Sequence, residues 1–540
     1  MTGAELICAQ LRALGVKTVF GLMGGGNLCW VPELGRFGID YVAANHESGA
    51  VAMADAYARA CGATGVCTVT HGPGLTNTVT ALVEASKSRT PLVVICGEIP
   101  PAERHHNQFI DQAALLRGIG CPWISARGPD TVASDLSLAF RTAADRRCPV
   151  VIGIPIPFQL SAAGPGFVTP LALPAQDCAP GIAEIRRLAE HVHSAERIVF
   201  IGGHGAALAG AGPALRALAS TSGALVGTTA MAFGLFGDDP YSLGICGGFA
   251  SERAAHLMRG ADLILAFGAS LHPWTTRAGA LIRPGAKVVQ IDSAPAAIGA
   301  LTPVDDGVVG DARIVAEMLN IELRGTGRDR VGLRTREIRE LLGGQRGDPF
   351  EDQSTETTID PRSLMVELER LLPRRRTLIL DSGSFMVFPA TMLSANEPGS
   401  FLFTQAFMSL GLGVAGATGA ATAGLERLTV LIIGDGGLAM SLGELISVVR
   451  TKRPILIVVM NDRAYGAEVH DLRDLGLPED RALLPEIDFA AVATDLGLRG
   501  LTVRSADDCR PLADWLAAPD GPLLVDCKIN GDVKGPWHDI

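Results

Sequence analysis

Three doubly wound α/β domains, each built on a parallel sheet, are predicted from three features of this sequence. The chain has 540 residues, too many for one ordinary domain of roughly 100–200 residues. Hydrophobic residues make up 48% and charged residues only 19%, with 64 Gly and 32 Pro to serve many strand-to-helix turns. Short β-branched runs alternate with longer helical patterns, the order expected of βαβ units. The predicted organisation is a first domain over 1–165, a second over 180–323, a polar linker over 324–359 and a third domain over 360–540.

In the first domain Lys17 to Phe20, Tyr41 to Ala44, Val66 to Thr70, Leu92 to Cys96 and Val150 to Ile154 read as buried strands. An Ala-rich helix from about Ser48 to Ala60 and another from about Gly74 to Ser86 lie between them, and Pro155 and Pro157 mark the exit. Strands of the second domain fall at Ile198 to Ile201, Leu263 to Phe267 and Val288 to Ile291. Its Gly202-Gly203-His204-Gly205 turn lacks the third glycine and the acidic strand end of a dinucleotide fingerprint, so it reads as a tight strand-to-helix turn. The linker ends in the polar run Glu351 to Thr358. Beyond it come strands at Thr377 to Leu380, Leu428 to Ile433, Ile455 to Met460 and Leu523 to Cys527, in a βα style shared with the first domain.

The net charge of −11 is spread without a basic stripe, which argues against nucleic acid as a partner. Eleven cysteines lie scattered with no C-x-x-C pair, disfavouring a zinc site or disulfide framework and fitting a reduced, cytoplasmic setting. The start lacks a basic-then-apolar pattern and no uninterrupted apolar stretch of about 18 residues follows. Neither export nor membrane insertion is expected.

The run Leu431-Ile432-Ile433-Gly434-Asp435-Gly436-Gly437 is an apolar strand ending in a glycine turn that opens a helix. Such a turn lets backbone N–H groups approach a phosphate. A bare carboxylate there would repel phosphate, unless Asp435 binds a divalent cation that also takes phosphate oxygens, as magnesium does. A second ligand should end the next strand, where Met460-Asn461-Asp462-Arg463-Ala464-Tyr465-Gly466 stands. G-D-G-G alone is often only a turn; paired with N-D-x-x-Y-G it is specific.

This pairing resembles the thiamine diphosphate signature. Asn45-His46-Glu47-Ser48-Gly49-Ala50, the Ala54 to Arg59 helix and Thr70-His71-Gly72-Pro73-Gly74-Leu75-Thr76-Asn77 are similar to the pyrimidine-binding domain of the acetohydroxyacid (acetolactate) synthase and benzoylformate decarboxylase family. The resemblance runs over essentially the whole chain. It implies a pyrimidine-binding, a middle and a diphosphate-binding domain, with thiamine diphosphate and Mg2+ as cofactors. It assigns the metal to Asp435, Asp462 and the Ala464 carbonyl, with Asp462 standing where Asn is usual, and Gly434, Gly436, Gly437, Tyr465 and Gly466 to the same cofactor end. Glu47 matches the carboxylate that bonds an aminopyrimidine ring nitrogen and favours its imino tautomer. Its apolar neighbours suit proton sharing, although a helix-dipole role alone would also explain an acid there. Pro73 and Asn77 accompany it. Leu410 falls at the wedge that bends the cofactor, the Met408 carbonyl accepts from the aminopyrimidine, and Gly383 and Ser384 match diphosphate contacts.

Substrate contacts are expected at Gly24, Gly25, Phe109 and Ile110. Gly25 is the residue of the synthases, where the decarboxylases carry Asp or Ser, whereas Ile110 replaces a Gln of the synthases. His71 stands in place of a usual Ser, and the pair His105-His106 is additional, so these three histidines are candidate catalytic groups. Trp274 in Phe267 to Arg277 replaces the arginine pattern that contacts flavin, so FAD is left out. The implied activity is carbon–carbon bond cleavage or formation on a 2-oxo acid, in the manner of an acetolactate-synthase-like carboligase taking an aldehyde or second 2-oxo acid. The alternatives are a simple 2-oxo-acid decarboxylase, a lyase, and a non-catalytic regulatory family member, against which Glu47, Asp435 and Asp462 argue. A homodimer or homotetramer is implied, because the family shares each site between two subunits.

Overall fold

The computed structural model describes residues 1–535 apart from 101, 104, 164–177, 326–330 and 345. The expected boundary at 165, parts of the 324–359 segment and the last five residues therefore lie outside the described residues.

Three six-stranded sheets carry the fold. The first contains β1 (Thr18–Gly21), β2 (Asp40–Ala43), β3 (Gly65–Val69), β4 (Leu92–Glu98), β5 (Trp123–Ser125) and β6 (Pro149–Pro155) in the order β2-β1-β3-β4-β6-β5. The second contains β7 (Ile198–Gly202), β8 (Leu225–Thr228), β9 (Ser242–Ile245), β10 (Leu263–Phe267), β11 (Lys287–Asp292) and β12 (Asp306–Val309) in the order β12-β11-β10-β7-β8-β9. The third contains β13 (Arg376–Leu380), β14 (Phe401–Phe403), β15 (Leu428–Gly434), β16 (Ile455–Asn461), β17 (Arg499–Val503) and β18 (Leu523–Lys528) in the order β14-β13-β15-β16-β18-β17. The described strand pairs run in parallel. Buried on both faces, the central strands are continuous apolar runs, as Leu431-Ile432-Ile433 in β15 and Ile455 to Met460 in β16 show. The first and third sheets share one strand order, and the second has another.

The described residues form two compact units. One holds the described residues within 1–173, 377–383 and 402–528, and the other the described residues within 174–376, 384–401 and 529–540. In the first unit the helix Glu47–Cys61 is capped by the His46 side chain and ends at Gly62 in a left-handed conformation, φ 75°. It lies so close to the helix Gly413–Thr422 that a Cβ on Gly419 would stand 2.0 Å from the Met53 carbonyl oxygen. The single helix expected over Gly74 to Ser86 is two, Pro73–Thr76 and Val79–Lys87. Asn77 lies at the break, where its amide donates to Glu47 at 3.0 Å.

In the second unit Gly203 and Gly205 form the strand-to-helix turn and pack on Gly268, where a Cβ on Gly203 would lie 2.2 Å from the Gly268 oxygen. Residues 324–359 include the helix Arg336–Leu342, capped by Thr335. A cavity of about 640 Å³ near Phe236 and Asp238 contains none of the residues singled out by sequence. Among the described residues no helix is long and apolar enough to cross a membrane.

Candidate active site

Ligands of doubly wound sheets bind beyond the carboxyl ends of the strands, where the winding reverses. That reversal falls between β1 and β3 in the first sheet and between β13 and β15 in the third. The loops leaving β1, β2, β3, β13, β15 and β16 hold most of the residues the sequence marks as functional.

In the third sheet β15 delivers Asp435 to the first position of the helix Asp435–Met440. Asp435 is 3% exposed, and its Oδ1 accepts the Gly436 N–H at 2.9 Å. The backbone N–H groups of Arg463 and Ala464 also reach it. Asp462, just beyond β16, is partly exposed and accepts the Ala464 N–H at 3.2 Å. Burial pushes both carboxyls above the ordinary range, and the charge of Asp435 pushes Asp462 up further. Among the described residues neither acid has a cationic side-chain partner, and a divalent cation would remove their repulsion.

Ala464 lies between these acids and the loop that follows. It forms an isolated antiparallel bridge with Leu483, whose bonds are made by its neighbours: Tyr465 donates to the Ala482 oxygen and Arg463 accepts from Leu484. In such a bridge the central residue turns its own N–H and C=O away from the partner strand. The Ala464 N–H accordingly meets Asp462, and its carbonyl shares that freedom. Among the described residues no cluster of three or more His, Cys, Asp or Glu side chains has metal-binding spacing. The two carboxylates and the backbone carbonyl of Ala464 would together make an all-oxygen set of the kind a hard cation takes. Tyr465 closes the nest, its ring approaching Gly436 so tightly that a Cβ there would lie 2.7 Å from it.

Asp381, at the end of β13, is fully buried and its carboxyl is pushed up to about 6 by burial. It accepts the Gly411 N–H at 2.9 Å and so fixes the end of the loop that carries Met408 and Leu410. Met408 is 71% exposed with φ 60°, a left-handed conformation unusual for a non-glycine residue. Leu410 is half-buried. Gly383 follows Asp381 within the same unit, while Ser384 opens the short helix Ser384–Met386 of the other.

In the first sheet β2 leads to Glu47 in the first turn of the helix Glu47–Cys61. Glu47 is half-buried, holds the Asn77 amide, and lies 3.6 Å from where a Gly74 Cβ would stand. Gly72, at φ 62°, lets the Pro73 turn pass the backbone of Gln108, whose oxygen would lie 2.4 Å from an added Cβ. His71 is 2% exposed, and among the described residues neither ring nitrogen has a hydrogen-bond partner of good geometry. Burial lowers its proton affinity and the neighbouring His106 lowers it further, with Gln108 offsetting part of this. The His71 and His106 rings meet edge to face, 5.6 Å apart, whereas His105 is exposed on its loop.

Room for His71 is made by Gly26 and Gly97, since a Cβ on either would approach its Nδ1 within 3 Å. Gly24 abuts Thr70, but Gly25 faces open space. Phe109 is 43% exposed and Ile110 half-buried on the loop beside His106. Among the described residues no hydrogen bond joins the Glu47 cluster to Asp435 or Asp462. Sequence reasoning marked the Asp381–Ser384 strand end for Gly383 and Ser384 but gave Asp381 itself no role, and it missed Glu84 and Glu444.

Three family models match the chain. These are the thiamine pyrophosphate enzyme N-terminal TPP binding domain over residues 1–115, the central domain over 185–319 and the C-terminal TPP binding domain over 381–527. The chain is 28% identical to a probable acetolactate synthase large subunit of Methanocaldococcus jannaschii, over 98% of this chain and 92% of that protein. It is 27% identical to the acetolactate synthase isozyme 2 large subunit of Escherichia coli, over 99% and 97%. In fold it matches the thiamine diphosphate-dependent 4-hydroxybenzoylformate decarboxylase of Rhodococcus jostii, with a TM-score of 0.83, 24% identity and coverage of 98% and 99%. With three consecutive domain models together spanning well over half of its length, the chain belongs to the thiamine pyrophosphate enzyme family.

Proposed function

We propose that this enzyme is a magnesium-dependent carboligase that cleaves a 2-oxo acid beside its carbonyl and joins the fragment to an aldehyde or a second 2-oxo acid, as its acetolactate synthase relatives suggest. The observation that carries the reading is the Asp435/Asp462 pair, two acids with no cationic partner among the described residues, in a glycine nest at the carboxyl ends of β15 and β16. Thiamine diphosphate, when bound, supplies the reactive carbon and the electron sink for carbon–carbon chemistry. Asp435, Asp462 and the Ala464 carbonyl would hold the magnesium, and Gly434, Gly436, Gly437, Tyr465, Gly466 and Gly383 would shape the diphosphate end; Ser384 is the neighbouring candidate in sequence. The Met408 carbonyl and the Leu410 side chain orient the pyrimidine end. Glu47 holds a proton at the pyrimidine ring nitrogen, and Asn77 keeps its carboxylate in place, with Pro73 setting the turn. Gly24, Gly25, Phe109 and Ile110 border the substrate.

The site is completed by a second copy of the chain, in a homodimer or homotetramer. In a single chain the apolar residues Met23, Leu28, Phe109, Phe407, Met408 and Met440 are all more than 40% exposed beside these loops, more than a monomer carries without reason. The cytoplasm is the proposed compartment. A second reading, simple decarboxylation, draws on the His71–His106 contact, because a buried imidazole next to the site can deliver the proton that replaces CO2. A screen of 2-oxo acids with and without aldehyde acceptors, reading CO2 and product mass, tests both. A coupled product supports the carboligase, an aldehyde whatever the acceptor supports the decarboxylase, and no turnover of any 2-oxo acid contradicts both.

A further inference from the structure

Two buried acids outside the metal pair stand in matching positions. Glu444, 4% exposed, accepts the N–H groups of Asn45 at 3.1 Å and His46 at 2.8 Å with its Oε1, while its Oε2 takes the Ser447 hydroxyl at 2.8 Å. Glu84, 2% exposed, accepts the N–H of Ala406 at 3.0 Å with one oxygen and of Phe407 at 2.6 Å with the other. Glu444 follows β15 and grips the loop after β2. Glu84 follows β3 and grips the loop after β14. Each acid thus reaches across from one sheet's domain to the other's loop, immediately before a cofactor-facing residue: Glu47 in one case and Met408 in the other.

We propose that Glu84 and Glu444 are a reciprocal pair of positioning residues, Glu444 setting the backbone that presents Glu47 and Glu84 setting the backbone that presents the Met408 carbonyl. The inference rests on the thiamine diphosphate reading of those two loops. Sequence and geometry both fit it. Gly49 carries no side chain where a Cβ would stand 2.2 Å from the Glu444 Oε1, so the approach of Glu444 has been given room inside the helix at a cost in helix propensity. Met408 sits at φ 60°, a conformation that persists only where its surroundings impose it. Glu84 restrains the chain before it and Asp381 the chain after it, at Gly411. At Glu84 each oxygen accepts one of two successive N–H groups, so a glutamine would turn an N–H toward one of them; at Glu444 one oxygen takes both N–H groups and the other the Ser447 hydroxyl, so a glutamine would replace the charge-assisted acceptor by a neutral one and have to reverse the Ser447 bond. Docking of the two domains has its own apolar contact, the Glu47–Cys61 and Gly413–Thr422 helices with Gly419 against Met53. The two acids are therefore available to set loops rather than to hold the domains together.

Amide hydrogen exchange by mass spectrometry on the cofactor-free protein tests the placement. Glu444→Gln should speed exchange at least about fivefold in a peptide spanning 44–49 and leave 404–410 unchanged, and Glu84→Gln should do the reverse. In the protein loaded with thiamine diphosphate and magnesium, Glu444→Gln should slow proton exchange at the cofactor's reactive carbon about tenfold or more with cofactor Kd within about threefold, while Glu84→Gln should raise that Kd about tenfold. If a glutamine variant does not fold, Ser447→Ala, which removes the hydroxyl shared by Glu444 and Asn45, must shift the 44–49 peptide in the same direction, and Ser88→Ala, whose hydroxyl donates to Glu84, the 404–410 peptide. Unchanged exchange in both peptides, or an equal rise throughout the protein, overturns the proposal. If Glu47→Gln slows exchange at the reactive carbon and Glu444→Gln does not, the positioning role fails alone. If Glu47→Gln has no effect there, the thiamine diphosphate reading of Glu47 fails, whatever the amide result.

Discussion

The first and third sheets share one strand order, yet the carboxylates at their carboxyl-end edges sit in opposite settings. Glu47 is one acid, half-buried, facing a neutral amide donor from Asn77. Asp435 and Asp462 are two acids side by side, served by backbone N–H groups and both raised by burial, with the charge of Asp435 raising Asp462 further. The same edge therefore supports different chemistry according to how many charges it holds and what faces them. A single acid with a neutral partner can pass a proton back and forth, whereas a crowded pair calls for a cation.

The sharpest way to break this contrast is to empty the crowded edge. Asp435→Ala should reduce magnesium-dependent thiamine diphosphate binding by at least about 100-fold, because the diphosphate loses its bridge to the protein. Calorimetry with and without magnesium reads this, and tight metal-free binding by the parent protein would refute the assignment. A smaller effect comes from pH. Because the carboxyl pKa values of Asp435 and Asp462 are raised, the metal-free fold retains protons that the cation must expel. The stability this contributes is present at low pH and lost as pH rises through the folded-state values. Magnesium affinity, and the gain in Tm from magnesium, should accordingly grow as pH rises from about 5 to about 8, by up to about tenfold in affinity per pH unit for each proton released. A flat profile would mean that the two acids are already ionised and separate.

The smallest effects compare glycines at the two edges. Gly436→Ala places a Cβ 2.7 Å from the Tyr465 ring and should cost about 1–3 kcal/mol of stability. Gly25→Ala meets nothing within 4 Å and should stay within about 0.5 kcal/mol. Chemical denaturation of both variants decides whether the third-sheet nest is the tighter of the two.

Interior strands such as β4, β10, β15 and β16 were legible in sequence because both of their faces are buried, giving unbroken apolar runs. The short edge strands β5, β14 and β17 were not, since three to five residues with a partly exposed face carry neither a long apolar run nor a clear alternation. The Gly434–Gly437 and Asp462–Gly466 turns could be read because a carboxylate among phosphate-seeking glycines is a local contradiction that a cation resolves. Glu84 and Glu444 could not. Their partners are backbone N–H groups more than 300 residues away, and a backbone donor leaves no mark on residue identity. Only Gly49 records the Glu444 contact, and its meaning becomes visible once the carboxylate is seen against it. The break at Asn77 was hidden for a related reason: the helical stripe continues across it, and the bond to Glu47 that explains it is a tertiary one.

The central claim is that Glu47 activates the cofactor, and Glu47→Gln tests it with shape and most hydrogen bonding preserved. Proton exchange at the reactive carbon of bound thiamine diphosphate, followed by quenched-flow NMR, should slow by roughly 10²–10⁴ in the variant, with cofactor Kd within about tenfold of the parent. Exchange as fast in Glu47→Gln as in the parent would contradict the account.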